Sequence, residues 1–253
     1  MNRHQQAVQA ILDKLTNSYE ANHRHPYLED NDVGAFDLSL DDDGNLLGVG
    51  VDLKASFNGA SYIPKPRNIL TINPYGESSL EPGARVAGAA LMIGHSLWRR
   101  AVKIPMGRPE LYVAVDYATG AFLYENLNRP VAVAFRPSNV KSVVEILRAK
   151  FPRSTIVVCL NNEKGKEVIR DRYVKDVRKF NAIAVYPNFT DEERYNSLVS
   201  FNDQAMFSSP EETVKALLAQ IGEAAKKIQP PPPLLKPETT DSYGDPDDMR
   251  EIS

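Results

Sequence analysis

The chain has 253 residues, 42% of them hydrophobic and 25% charged, enough for one large globular domain or two small ones. The net charge of −3 is uneven, because residues 230–253 hold six acidic residues against Lys236 and Arg250; the remaining body is close to neutral and lacks the concentrated basic surface of a dedicated nucleic-acid binder. A single cysteine, Cys159, excludes an internal disulfide and a cysteine-built zinc site, and no apolar run approaches the roughly 18 residues of a membrane span.

The N-terminus, M-N-R-H-Q-Q-A, has no apolar signal core, so a cytoplasmic setting without a membrane partner is expected. Val8, Ile11, Leu12 and Leu15 fall at helical spacing and predict an amphipathic helix over residues 2–18. His23 and His25 stand two apart before Pro26, which suits an extended polar segment or a packing role better than a metal-binding helix. From Val33 to Ile93 the chain breaks into short apolar segments separated by turn signals, D-D-D-G-N at 41–45 and F-N-G-A-S at 57–61, and predicts a small antiparallel sheet. The acidic triplet at 41–43 is read as hairpin chemistry rather than a metal site. The glycine- and alanine-rich stretch Glu81–Gly94 permits close backbone approach, or phosphate at main-chain N–H groups, but lacks the spacing of a nucleotide fingerprint. Beyond it, Trp98 beside Arg99 and Arg100 admits base stacking, with a core tryptophan flanked by exposed arginines as the favoured reading.

Three Val-rich runs between Leu111 and Asn162, and a fourth at Ala182–Tyr186, alternate with helical patterns at 118–127, around Val140–Leu147 and at 165–180. The last of these is expected to bury Ile169, Tyr173, Val177 and Phe180. Strands this short joined by crossover helices predict a parallel sheet covered on both faces, with ligands at its carboxyl edge. That edge comprises Val115-Asp116, Arg136 and Leu160-Asn161-Asn162. An irregular loop is expected next, and Ser209, Pro210 and Glu212 then stand at the N-cap, N1 and N3 of a helix carrying Val214, Leu217, Leu218 and Ile221. The proline-rich, acidic residues 230–253 bury too little to offset ordering entropy and are expected to be disordered.

Several of these segments resemble, in order and spacing, the Toprim domain of plasmid- and phage-encoded primases. The likeness rests on V-D-Y-A-T at 115–119 and L-N-N at 160–162, supported by H-P-Y-L at 25–28, Gly83–Gly94, A-F-R-P-S-N at 134–139 and S-F-N-D at 200–203, and covers most of residues 25–220. It implies an α/β Toprim-like parallel sheet flanked by helices at 109–229, after a small α+β N-terminal lobe at 1–108. It also implies Mg²⁺ held by a glutamate after the first strand and aspartates after the third, yet Val115, Leu160 and Asn162 occupy those positions. The expectation is therefore a catalytically degenerate protein without cofactor or metal, which binds nucleic acid, DNA ahead of RNA, or joins a replication complex. Arg136, Asn139, Asn161, Asn162 and Asp116 are its candidate nucleic-acid-binding residues. Arg136 has two readings, a phosphate contact or an ion pair with Asp116. One alternative function is a Mg²⁺-dependent primase or nuclease that uses Asp116, with Asp203 as a second carboxylate. The other is a regulatory or counter-defence module of a phage or plasmid that makes protein contacts.

Overall fold

Apolar side chains that alternate between two covered faces organise the architecture. The computed structural model describes residues 3–103 and 109–228, so the tail expected to be disordered lies outside the described residues. Helix α1 (Arg3–Thr16) leads through β1 (Tyr19–Glu20) and α2 (Pro26–Asp30) to the hairpin of β2 (Leu38–Leu40) and β3 (Leu46–Asp52). There follow α3 (Leu53–Ser56), the small hairpin β4 (Phe57–Asn58) and β5 (Ser61–Tyr62), then β6 (Pro66–Ile72), β7 (Ser78–Leu80), β8 (Ala89–Ile93) and α4 (His95–Lys103). The second half alternates β9 (Glu110–Ala114), α5 (Tyr117–Leu127), β10 (Val131–Val133), α6 (Pro137–Lys150), β11 (Thr155–Cys159), α7 (Glu167–Arg178) and β12 (Ile183–Val185). It closes with α8 (Asp191–Tyr195), α9 (Phe201–Phe207) and α10 (Pro210–Ala225).

Ten strands form one mixed sheet, β1-β2-β3-β8-β10-β9-β11-β12, with β6 paired to β3 and β7 beyond it. Strands β10, β9, β11 and β12 are parallel, whereas β8 runs antiparallel to both β3 and β10. The antiparallel strands expected to make a lobe of their own are thus hydrogen-bonded into the same sheet, and the ladder crosses the boundary drawn at 108 and 109. In β9, Leu111 and Val113 face the core beneath α4, α6 and α7, while Tyr112 and Ala114 face the core beneath α5, α9 and α10. Burial on both sides explains why these strands read as unbroken apolar runs.

Helix α1 packs Ile11 on Leu47 and Ile69, with Ala7 buried, whereas Leu12 is 43% exposed and leaves the stripe assigned to it. In α7 the expected burial holds for Val177, while Ile169 is half exposed and Tyr173 and Phe180 are partly buried. Leu218 in α10 is exposed as well. The expected irregular loop carries α8 and α9, each begun by a capping box, Thr190 with Glu193 and Ser200 with Asp203. Asp41 builds the β2–β3 turn by accepting hydrogen bonds from the N–H groups of Asp43 and Asn45. His25 caps α2 with Nδ1 and bonds the Gly44 carbonyl through Nε2, a structural use of both ring nitrogens. Trp98 is fully buried against Phe57 and Phe151 and donates its indole N–H to the Ile93 carbonyl, so it is a core residue.

The glycine-rich stretch presents no free phosphate cradle at its two strand-flanking glycines. Gly88 N–H donates to Asn139 Oδ1 and Gly94 N–H to Asp37 Oδ2. Asn139, in the first turn of α6, also donates Nδ2 to the carbonyls of Ala89 at 2.8 Å and Ala134 at 3.0 Å. One buried amide therefore fastens the start of β8, the exit of β10 and the start of α6. Asn139→Ala is expected to lower unfolding free energy by about 3 kcal/mol, because three buried peptide groups lose their partner. Urea denaturation measures this; a loss below about 1 kcal/mol, the range of ordinary substitutions, would refute the clamp.

Candidate functional site

The four parallel strands deliver their carboxyl ends to one edge. After β9 the chain places Asp116 as N-cap of α5, where Oδ1 accepts from Thr119 N–H at 2.9 Å. The second oxygen, Oδ2, accepts from Asn161 Nδ2 at 3.3 Å across the neighbouring strand β11. Asn161 Oδ1 is buried and has no hydrogen-bond partner among the described residues. Asp116 and Asn161 thus come together as the sequence places them, at adjoining strand ends.

The other candidates part company with this pair. Asn139 is 3% exposed with its amide committed to the β8–β10 clamp, so it offers nothing to a ligand. Asn162 is 2% exposed, donates Nδ2 to the Pro187 carbonyl at 2.7 Å and accepts from the Arg170 guanidinium. Its own N–H donates to the Val199 carbonyl at 2.7 Å, which ties the exit of β11 to the connection between α8 and α9. Both asparagine side chains, expected at a binding surface, are therefore buried and engaged within the protein. Arg170 lies 4.0 Å over the Tyr186 ring and 2.9 Å from Asp171, a supported cation with little freedom.

Arg136 is different. It stands at the N-cap of α6, and its exposed side chain makes no capping bond and no hydrogen bond or ion pair to the described residues. The ion pair with Asp116 is absent, since Asp116 is engaged by Thr119 and Asn161. Immediately before Arg136, Phe135 has φ +67°, a left-handed conformation costly for an aromatic residue, which turns the chain from β10 into α6.

A cavity of about 70 Å³ opens between Pro137, Asn161, Lys166 and Arg170. Beside it a cavity of about 320 Å³ is lined by Asn162, Lys164 and Arg194. Lys166 pairs with Glu163 at 2.6 Å, whereas Lys164 has no partner among the described residues. Lys164 and Arg194 were not among the expected site residues. Lys164 follows directly after the strand-end asparagines and Glu163, a positional signal in the sequence, while Arg194 arrives from α8, whose docking beside the strand ends depends on long-range packing.

Whether this edge suits a divalent cation is a question of donors. Mg²⁺ requires near-octahedral oxygen ligands with one or two free carboxylates. Val115 and Leu160 are buried in the core beneath α6 and α7, and both Asp116 oxygens already accept hydrogen bonds. Asp203 uses one oxygen in the same way: its Oδ2 accepts from Val199 and Ser200 N–H at 2.9 Å each. Tyr27 feels both carboxylates: burial chiefly, then the charge of Asp116 and less that of Asp203, push its phenol well above the ordinary tyrosine range, against an opposing bond with the Ala118 backbone. Burial and then Asp116 likewise raise the Cys159 thiol, which leaves it protonated and unreactive. Among the described residues no group of three or more His, Cys, Asp or Glu side chains is placed to hold a metal, and the donor set at the strand ends does not fit Mg²⁺.

Compared with known protein families the chain matches none, and no curated protein matches it either. No helix among the described residues is long and apolar enough to cross a membrane.

Millimolar Mg²⁺ or Mn²⁺ is expected to leave the thermal midpoint unchanged and to give no saturable heat in calorimetric titration. Saturable binding that disappears in Asp116→Asn, a change that keeps a capping oxygen for Thr119, would show a working metal site and sink this expectation.

Proposed function

We propose that the chain is a catalytically degenerate Toprim-like protein, similar to plasmid- and phage-encoded primases, that binds nucleic acid at the carboxyl edge of its parallel strands without metal. The parallel order β10-β9-β11-β12 and the crevice at its strand ends support this reading, as do Val115, Leu160 and Asn162 in place of acids. One observation carries it: the Arg136 side chain is exposed, with no hydrogen-bond or ion-pair partner among the described residues, at the positive end of the α6 dipole. Lys164 and Arg194 extend the cationic rim toward a strand of phosphates. DNA is the polyanion we propose, with the cytoplasm, which keeps a lone thiol such as Cys159 reduced, as the setting.

A role inside a replication complex is favoured by one further feature. Val168 and Tyr195 are 85% and 88% exposed on α7 and α8, the two helices that supply Arg170 and Arg194 to the same rim. Exposed apolar groups beside a polyanion site suit a protein partner that shares the nucleic acid.

Filter-binding titrations against single- and double-stranded DNA and RNA, with and without Mg²⁺, test the reading. Binding is expected to be unaffected by Mg²⁺ beyond its contribution to ionic strength, and to weaken as salt rises. Arg136→Ala should reduce affinity for all sequences and lower the salt slope by about 1, because one phosphate contact is lost. The same variant should melt with the parent, as the side chain makes no hydrogen bond or ion pair to the described residues. Unchanged affinity in Arg136→Ala, or no binding to any of the four probes, would overturn the proposal.

A further inference from the structure

The amino edge of the parallel strands holds a cavity of its own. It measures about 290 Å³ and lies between the β4–β5 turn at Gly59 and Ala60, the last turn of α4 at Ala101 and Val102, and the connection from α6 to β11. Pro109, just before β9, and Ser154, just before β11, also line it, so it stands at the end of the sheet opposite the crevice beside Asn161. Its charged lining residues are Lys150 and Arg153, and no acidic residue lines it.

Arg153 is the group that lacks its counterpart. Nε and Nη1 of this half-buried side chain are enclosed and have no hydrogen-bond partner among the described residues. Nη2 has none either, yet it is not enclosed, and it marks the side from which a ligand reaches the guanidinium. Peptide carbonyls at the carboxyl end of a helix ordinarily serve such a cation. At the end of α6 they are engaged by Arg148, which donates to the carbonyls of Phe151, Pro152 and Ser154 at 3.2, 3.0 and 2.8 Å. The same guanidinium donates to the carbonyls of Phe180 and Asn181 at 2.9 Å each. Lys150 Nζ donates to the Gly59 carbonyl, which leaves N–H groups of this ammonium for another acceptor. Residues 104–108, outside the described residues, read I-P-M-G-R and contain no carboxylate. Enclosed guanidinium N–H groups without an acceptor have lost water and regained nothing, and an oxyanion restores both the hydrogen bonds and the charge balance.

We propose that this cavity binds the phosphate group of a small phosphate monoester. The phosphate pairs with Arg153 and Lys150, and the organic group lies against Val102 and Phe151. Two cations and no acid match a dianion better than the single charge of a carboxylate. The volume stands at the lower edge of small-ligand sites and suits a compact organic group. The site is independent of nucleic-acid binding at the opposite edge of the sheet.

Calorimetric titration of the full chain with phenyl phosphate, and with benzoate as its carboxylate counterpart, tests the assignment in phosphate-free buffer. Phenyl phosphate should bind saturably and raise the melting temperature, as a ligand of the folded state does, and benzoate should bind more weakly. Arg153→Met should weaken phenyl phosphate by about tenfold or more, the loss expected when charge-assisted hydrogen bonds to one group are removed. Arg153→Lys, which keeps the charge without the fork, should weaken it as well and carries the test if Arg153→Met fails to fold. Arg136→Ala should leave the affinity unchanged. The proposal fails if phenyl phosphate shows no saturable binding at millimolar concentration, or if benzoate binds as tightly. It fails equally if the folded Arg153 variants bind like the parent, or if Arg136→Ala abolishes binding, which would place the phosphate at the carboxyl ends of the strands instead.

Discussion

A single buried side-chain amide holds the two halves of the sheet in register. Asn139 accepts from Gly88 N–H and donates to the carbonyls of Ala89 and Ala134, so the lead-in to β8, the exit from β10 and the first turn of α6 share one anchor. Each of these peptide groups lies where regular ladder pairing ends, and each would otherwise be buried without a partner. Because Arg136 sits between Ala134 and Asn139, the same anchor fixes where its backbone emerges at the strand edge. The exposure of the cation follows from the burial of the amide.

Competition for oxygen lone pairs explains the character of that edge. A helix N-cap and a metal ion ask for the same carboxylate lone pairs, and here Asp116 Oδ1 and Asp203 Oδ2 are bonded to backbone N–H groups. Asp116 begins α5 and Asp203 completes the capping box of α9, each with hydrogen bonds of ordinary length. Capping orients each carboxylate, and the charge of both is still felt at Tyr27; neutral amides and the Lys164 and Arg194 cations line the crevice beside them. The α5 side of the molecule has the reverse balance at Glu29, Asp32 and Glu125, so a chain whose body is nearly neutral presents two surfaces of opposite sign.

Much of the secondary structure was legible because its signals are local. The Val-rich runs reported strands buried on both faces, and Ser209-Pro210-Glu211-Glu212 marked the start of α10, where Ser209 accepts from Glu212 N–H. T-D-E-E at 190–193 carries the same N-cap and N3 glutamate signature and begins α8, within the stretch expected to be a loop. Helical spacing identified the face of α1 but not the extent of its partner, and Leu12 overhangs it. The attachment of β8 to β10 was illegible, since pairing depends on residues far apart in sequence. Site residues divided similarly. Asp116, Asn161 and Arg136 were placed correctly at the strand ends by topology alone, whereas the inward orientation of Asn139 and Asn162 depends on packing that no residue type announces.

The position of β8 has a consequence for how the chain acquires its structure. Its antiparallel partner β3 precedes it, but its other partner, β10, follows only after α4, β9 and α5. During synthesis β8 is therefore available with one edge paired and the other open, an apolar edge of five buried residues. Closing that edge requires a distant strand to arrive in the interior of the sheet rather than at its margin, and such closures are slow because loop entropy is lost before contacts are gained. The N-terminal half alone, expressed without β9 and β10, would keep that edge exposed and self-associate, so the seam that unites the finished sheet is also the point at which assembly is most vulnerable.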